Sequence, residues 1–566
     1  MTNQPITVVD NKFFRDMVRT LKGKASIPQR RVLITRMEEL LVDLQGSVAT
    51  MLTGQYVSMT TDGWTSRANE SYISFTVVYV NDDWKMVKLA LSCSKKQGST
   101  KGEDLATSIE TMIKNHGLTG HVVVCNTDCE PSMVKAGRIL TDDAVLMHVG
   151  CTCHRIECVT ALVFDGPGVK KSMALARAVV TRYTKSSQAA GRLQELCGIV
   201  GIIPLRVIQD VETRWWSTQS MVERLVYLRR AVELHESLDN VAPLLGPVDW
   251  NVLELLEPVL APFMYVQKKL ESNNVTGSLV VPLICDLRAG LDSERKALQQ
   301  PNPGTSADVL AARILLLPCV EALAKDFNNR FGDGSDILTF REGPRRQPQG
   351  FRKVQVMATA LDPRCKMLYG VLPNEHKGVW QAVAMAAADI AKSTQASVRT
   401  TALSAAGSTP AGPGPGASAR PASKRFCGGF MAASQAQAAS ASTVTAAPSL
   451  PAEHFLNEAG REVTRYRATS GLAMEEAQES GKILYPDPLD WWRINAVKFP
   501  LLAALARGLL TIPASQAQSE RVFSSAGQIV TQTRNRLSSE NVELLVALKN
   551  IWSVVEEWQQ SKATPV

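Results

Sequence analysis

Residues 56–93, YVSMTTDGWTSRANESYISFTVVYVNDDWKMVKLALSC, contain three runs rich in β-branched and aromatic residues: YVSMTTD, YISFTVVYVN and WKMVKLALSC. Short polar segments separate them, and this composition predicts three consecutive strands. GEDLATSIETMIKNHG (102–117) follows with helical spacing and closes on Gly117. HVVVCNTD (121–128) is short and continuously apolar, as a strand buried on both faces would be. EPSMVKAGRIL (130–140) then predicts a helix, AVLMHVGCT (144–152) a strand and HRIECVTALVF (154–164) a helix. The order is βββαβαβα.

In that order the first and fourth strands lie side by side in parallel, with their carboxyl ends on one rim of the sheet. It is the order of a ribonuclease-H-like sheet. The first strand ends in Asp62 and the fourth in Asp128. Two carboxylates held together in a partly dry place repel unless a proton or a divalent cation compensates them. Oxygen-only ligands suit Mg²⁺ or Mn²⁺. A third carboxylate would complete a two-metal clamp for phosphoryl displacement. IPASQAQSERVFSSAGQIV (512–530) supplies a candidate, Glu520, at the head of a late helix. The bland alternative is that each aspartate is a turn residue or helix cap.

The chain has 566 residues, enough for roughly three or four domain-sized units. It is 45% hydrophobic and 20% charged, a globular composition, and its net charge of +8 is compatible with a polyanionic partner without requiring one. No apolar run approaches the ~18 residues of a membrane span, so no membrane partner is expected. Eleven scattered cysteines fit a reducing compartment. Residues 1–50 read as a helical segment, with Ser26 as a possible cap and Pro28 near a first turn. An α/β core is expected over 51–169 and helices alone over 170–393. An Ala/Ser/Pro/Gly-rich stretch, 394–450, predicts a flexible linker. Helices return over 451–566.

Several stretches resemble, in order, the landmarks of the hAT superfamily of DNA transposases, and more narrowly its BED-finger branch, which includes host-domesticated members. They are TTDGWTSRANESYISFTVVYV, NTDCEPSMVKAGR, CTCHRIECV, DVETRWWSTQSMVERL, TALDPRCKML and LLTIPASQAQSERVFSSAGQIVTQTRNRLSSENVELLVALKN. The resemblance implies an α/β ribonuclease-H-like catalytic core interrupted by a large all-α insertion, with a C-terminal helical region that completes the core and carries dimerisation. It matches Asp62, Asp128 and Glu520 to the family's catalytic, metal-binding Asp-Asp-Glu set, served by Mg²⁺ or Mn²⁺. It matches Arg214 and Trp215 to a DNA-contacting pair whose indole stacks on a flipped base; core packing is the alternative for Trp215 and for Trp216. Cys151 and His154 match a Cys-x-x-His at a strand–helix junction, which puts His154 near DNA.

Zinc is not expected there, because the adjacent Cys153 and His154 do not suit one tetrahedron. No Cys-x-x-Cys…His pattern precedes residue 50 and the first cysteine is Cys93, so no zinc finger is expected in this chain. Glu130 and Pro131 depart from the family's usual small or amide residues after the second aspartate; Glu130 either disturbs metal geometry or caps the next helix. The helix NVELLVALKNIW (541–552) has the apolar spacing of a pairing interface, so a homodimer or higher oligomer is expected. The functional expectation is a nuclear, DNA-binding, hAT-type transposase or transposase-derived protein with metal-dependent strand cleavage and transfer. The alternative is a catalytically silent, domesticated dimeric regulator of transcription. A pairing module without DNA contact ranks last.

Overall fold

The computed structural model describes residues 6–21, 27–65, 70–96, 101–143, 146–211, 215–272, 276–332, 341–342, 348–406, 451–474, 476–477, 483–484, 486–529 and 539–563. Its centre is a five-stranded mixed sheet. β1 (Val57–Thr65), β2 (Ser71–Val80) and β3 (Met86–Lys95) form an antiparallel meander. β4 (Val122–Thr127) and β5 (Met147–Gly150) extend the other edge, giving the order β3-β2-β1-β4-β5. β1 and β4 are parallel neighbours, as expected, with Thr60 opposite Asn126. β5 is shorter than its apolar run suggests.

The two faces differ in what covers them. Odd-numbered residues of β1 and β2, among them Val57, Met59, Phe75 and Val77, face a layer of helices. The short α1 (Lys12–Leu21) precedes that layer, which comprises α2 (Arg30–Leu52), α3 (Gly102–Asn115) and α4 (Pro131–Asp142). α3 stops at His116 and turns on Gly117, whose φ of +67° favours glycine. The N-cap of α2 is Gln29, which makes no side-chain cap, and the expected cap Ser26 lies outside the described residues.

The even face meets the rest of the chain. A helical block runs through α5 (Thr152–Asp165), α6 (Pro167–Lys185), α7 (Ser187–Ile199), α8 (Trp215–Leu238), α9 (Pro247–Leu270), α10 (Val280–Gln299), α11 (Ala307–Phe331), α12 (Lys353–Leu361) and α13 (His376–Ala406). After the undescribed residues 407–450 come α14 (Ala452–Ala468), α15 (Pro488–Asn495) and α16 (Pro500–Leu509). One apolar core joins Val124 and Val149 of the sheet to this block through Trp250, Phe263 and Trp492. α13 continues past residue 394, where the flexible stretch was expected to begin; the remainder of that stretch lies outside the described residues. Two-residue hairpins at 341–342/348–349 and 476–477/483–484 are the block's only strands among the described residues.

The chain then comes back to the sheet. An isolated bridge joins Thr276 to Pro513, and the Gly277 amide donates to the Ile512 carbonyl at 2.6 Å. α17 (Ala517–Ile529) lies across the even face of the first three strands, and α18 (Ser539–Ala563) packs along β3 and α2.

His148 on β5 shows how tightly the sheet and its helices fit. Its ring is buried and bonded to the Thr127 hydroxyl at 2.8 Å, and burial with the charge of Arg352 pushes its pKa down to about 3. It packs against Gly137 of α4, where an added Cβ would stand 2.2 Å from the ring. Gly137→Ala should therefore destabilise the protein by about 1–3 kcal/mol, as overpacking does. A lowered urea midpoint with unchanged slope is the expected reading; an unchanged midpoint would show that the ring can yield.

Candidate active site

The even-numbered side chains of β1 emerge on the face that the returning chain covers, and the first two, Ser58 and Thr60, are hydroxyls rather than hydrocarbons. Ser58 Oγ lies 2.7 Å from Thr511 Oγ1. Thr60 Oγ1 lies 2.8 Å from Ser519 Oγ and 2.5 Å from Thr76 Oγ1. Gln516 Nε2 donates to the Thr61 carbonyl at 2.8 Å, and Asn126 Nδ2 donates to the Pro513 carbonyl at 3.2 Å. All these side chains are buried. Buried polar groups are mostly bonded, and these bonds hold the start of α17 against β1 and β4. Phe523 one turn further on stacks against Trp64, 5.9 Å between centroids.

Asp62 and Asp128 are the next members of that row. Thr60 is opposite Asn126 in the parallel pair, so two further residues along each strand put Asp62 and Asp128 level with each other and on the side of α17. Asp62 Oδ1 accepts from the Gly63 amide at 2.8 Å, and Asp128 Oδ1 from the Glu130 amide at 3.2 Å. Glu520 follows Ser519, whose hydroxyl is already on β1, and it projects from the first turn of α17.

The electrostatics tie these groups together. Asp62 is pushed up to about 7, by burial first and then by Asp128, with smaller contributions from Glu520 and Glu130 against the Gly63 hydrogen bond. Asp128 is also raised, mainly by burial; the Glu130 amide and His154 oppose this and the Glu130 carboxylate adds to it. Asp62 thus feels the charges of Asp128, Glu520 and Glu130. Among the described residues, however, no three His, Cys, Asp or Glu side chains are gathered at the spacing of a metal site. The donors are all oxygen, the type that suits Mg²⁺ or Mn²⁺, and the mutual repulsion at Asp62 is what a cation would relieve.

His154 sits on the first turn of α5, half exposed, with Nδ1 3.7 Å from Glu157 and its charge felt at Asp128. It borders the rim. Trp215 begins α8 but its side chain lies outside the described residues, as does Arg214 altogether. Trp216 is half buried against the main core, in keeping with a packing role. Cys151 caps α5 and is buried with Cys153; all ten described cysteines are free thiols. Glu130 occupies the N-cap position of α4 without a side-chain cap hydrogen bond, and the first helical residue is Pro131; its charge contributes to the raised Asp62. The docking residues Ser519 and Gln516 were not picked out from sequence; their one signal is a small polar run ahead of an apolar helix.

α18 uses its apolar stripe inside the chain. Leu544, Leu548, Ile551 and Val555 join the helical layer over the odd face, and Val542 and Val546 pack with Tyr72 and Phe523. The spacing in NVELLVALKNIW that suggested a pairing interface is thus accounted for by the protein's own core. In the same C-terminal stretch, Ile494 is 67% and Val497 90% exposed.

Two regions match known families. Residues 60–150 match the ZBED1 RNase-like domain, and residues 461–551 match the hAT family C-terminal dimerisation region. Over nearly the whole chain it is similar to the Putative AC transposase of Zea mays (21% identity, 97% of this chain) and to Zinc finger BED domain-containing protein 4 of Homo sapiens (21%, 96%). It is also similar to the Putative transcriptional regulator tpeD of Talaromyces stipitatus (20%, 96%). The chain spans 63%, 42% and 59% of those relatives' lengths, respectively.

The raised Asp62 makes a stability prediction. A carboxyl whose folded pKa lies above its unfolded value of 3.8 leaves the native state at a disadvantage that grows as pH rises from 4 to 7 and is complete above 7. Asp62→Asn removes that penalty. It should raise stability by about 1–3 kcal/mol at pH 8 and by less than half of that at pH 5. Urea midpoints at the two pH values test this; equal gains at both would mean that Asp62 carries no such burden.

Proposed function

Within a chain that belongs among the hAT-family transposases and the proteins derived from them, we propose that the acidic rim is the metal-dependent DNA cleavage and strand-transfer centre of a ribonuclease-H-like core. On this reading the helical block is an insertion between β5 and α17, and α17 and α18 complete the core. The observation that supports it most is the hydroxyl and amide strip, because it brings the start of α17, which carries Glu520, back to β1 from more than 450 residues downstream.

Asp62, Asp128 and Glu520 would hold the divalent ions. Bound metals would neutralise charge on the attacking and leaving oxygens of a phosphodiester. The side chains do the rest. The Gly63 and Glu130 amides each hold one carboxylate oxygen of Asp62 and Asp128, respectively. His154 borders the rim on the α5 side, where a DNA strand would enter. Arg214 and Trp215, at the head of α8, are assigned to the same DNA. Localisation in the nucleus follows from the substrate.

The second reading, a catalytically silent dimeric regulator on the same scaffold, is favoured by the looseness of the acidic set and by the presence of a named transcriptional regulator among the relatives. Nicking of a hairpin-forming duplex in Mn²⁺ separates the two. The parent should nick, and Asp62→Asn and Glu520→Gln should each lose at least about a hundredfold, since even residues that only orient metal ligands cost 10–100-fold. A parent that binds the duplex without nicking it selects the regulator. Variants that nick as well as the parent would move the centre elsewhere.

Pairing is assigned to the C-terminal region, where Ile494 and Val497 are the most exposed large apolar side chains among the described residues. Val497→Asp should shift the chain toward monomer in sedimentation at micromolar concentration without lowering its melting temperature. Unchanged sedimentation would place the interface on another part of that region.

A further inference from the structure

Residues 31–43 of α2, RVLITRMEELLVD, read alike in both directions from Met37. Leu40 answers Ile34, Leu41 answers Leu33 and Val42 answers Val32. The charges answer with opposite sign, Glu38 to Arg36 and Asp43 to Arg31. At the remaining step Glu39 answers Thr35, a carboxylate against a hydroxyl that can donate to it. The inner side of the helix, with Ile34, Met37, Leu40 and Leu41, packs on the core of the sheet's odd face. That packing asks for apolar residues at helical spacing and sets no order for the charges outside. The outer side is uncovered: Val32 is 44% and Val42 65% exposed, and Thr35 and the five charged side chains are exposed with them. Among the described residues, none of those five charges has an ion-pair partner in its own chain.

Residues an equal number of steps before and after one level of an α-helix are turned by equal and opposite angles about its axis. A two-fold axis through the outer side at the level of Met37 therefore sets each residue against its counterpart on a second, antiparallel α2. Val32 meets Val42 of the second copy, Arg36 meets Glu38 and Arg31 meets Asp43. Each of these contacts occurs twice, as in any interface made by one patch on itself. Exposed valines taken singly mean little, and so do single surface ion pairs. Their joint register is what carries weight. A parallel partner would put Arg36 against Arg36 and Glu38 against Glu38, so the charges select the antiparallel arrangement.

We propose that the outer side of α2 is a self-pairing surface, taken by α2 of a second copy running antiparallel about a two-fold axis level with Met37. It is separate from the pairing assigned above to the C-terminal region and does not rest on the DNA reading. A face about 18 Å long is short for a stable interface. It therefore acts between concentrated chains, or between chains already joined through another surface. The competing accounts are that the charges only keep a surface helix in water, or that a different partner covers it.

Exchange of the charges separates these. The full chain would be sedimented at tens of micromolar and low salt. Arg36→Glu and Glu38→Arg should each weaken association by at least about tenfold, because each puts two like-charge pairs across the contact. The chain carrying both changes should associate like the parent. So should an equimolar mixture of the two single variants, in which each chain supplies the charges that the other lacks. All these positions are exposed, so melting temperatures should stay within a few degrees of the parent. The same series repeated with Val497→Asp should show the same losses and the same rescue; a C-terminal pairing that fails would show instead as no effect of Val497→Asp itself. Single variants that associate as the parent does would overturn the proposal, and so would a parent that is monomeric. Losses that neither the double change nor the mixture rescues would also overturn it, leaving α2 to solvent or to another partner.

Discussion

The architecture depends on a row of buried hydroxyls and amides that joins the first strand to a segment near the other end of the chain. Ser58, Thr60 and Asn126 on the sheet find Thr511, Ser519 and Pro513. Each bond alone contributes only about 1 kcal/mol net. Leaving any of these groups buried and unmet costs more than that, about 1–3 kcal/mol. The strip therefore acts as a register. A shift of one residue along β1 would turn Asp62 to the opposite face and strand the hydroxyls. The position of the acidic rim and the seat of α17 are fixed by the same bonds.

This arrangement puts rigidity and strain side by side. The sheet beneath the rim is packed with β-branched and aromatic side chains, and His148 wedged against Gly137 leaves little slack. Above it, carboxylates are held where burial and mutual repulsion raise Asp62 and Asp128. A fold keeps such a cluster only if the surrounding packing over-determines it, and perturbed groups of this kind concentrate where charge is to be bound or moved.

Much of the fold was legible in the sequence. The three opening strands, the buried fourth and the helices between them showed in composition and period, because each depends on local preference and on a face that is uniformly buried. Asp62 and Asp128 could be located by strand order alone. The docking strip could not. Ser58 and Thr60 read as the solvent side of a half-buried strand, and ASQAQS reads as a loop, since the partners that bury them lie hundreds of residues apart. The stripe on α18 carried a second ambiguity. Apolar spacing says that a face is covered, and not whether the cover is the same chain or another; here Leu544, Leu548 and Ile551 are covered from within. Glu130 was visible as a departure and as a cap candidate for the next helix, yet only the geometry assigns its amide to Asp128.

The distance along the chain between Ser58 and its partner, 453 residues, bears on how the molecule is made. During synthesis the sheet emerges early, but the part of its even face that α17 covers has no partner until almost the last tenth of the polypeptide leaves the ribosome. Contacts of such long separation form slowly, and exposed strand surface invites association with other chains meanwhile. The covering of that face by hydroxyls and amides, with hydrocarbon confined mainly to its flanks, gives the waiting surface something to offer water. A nascent chain built this way can remain unfinished for longer without becoming adhesive.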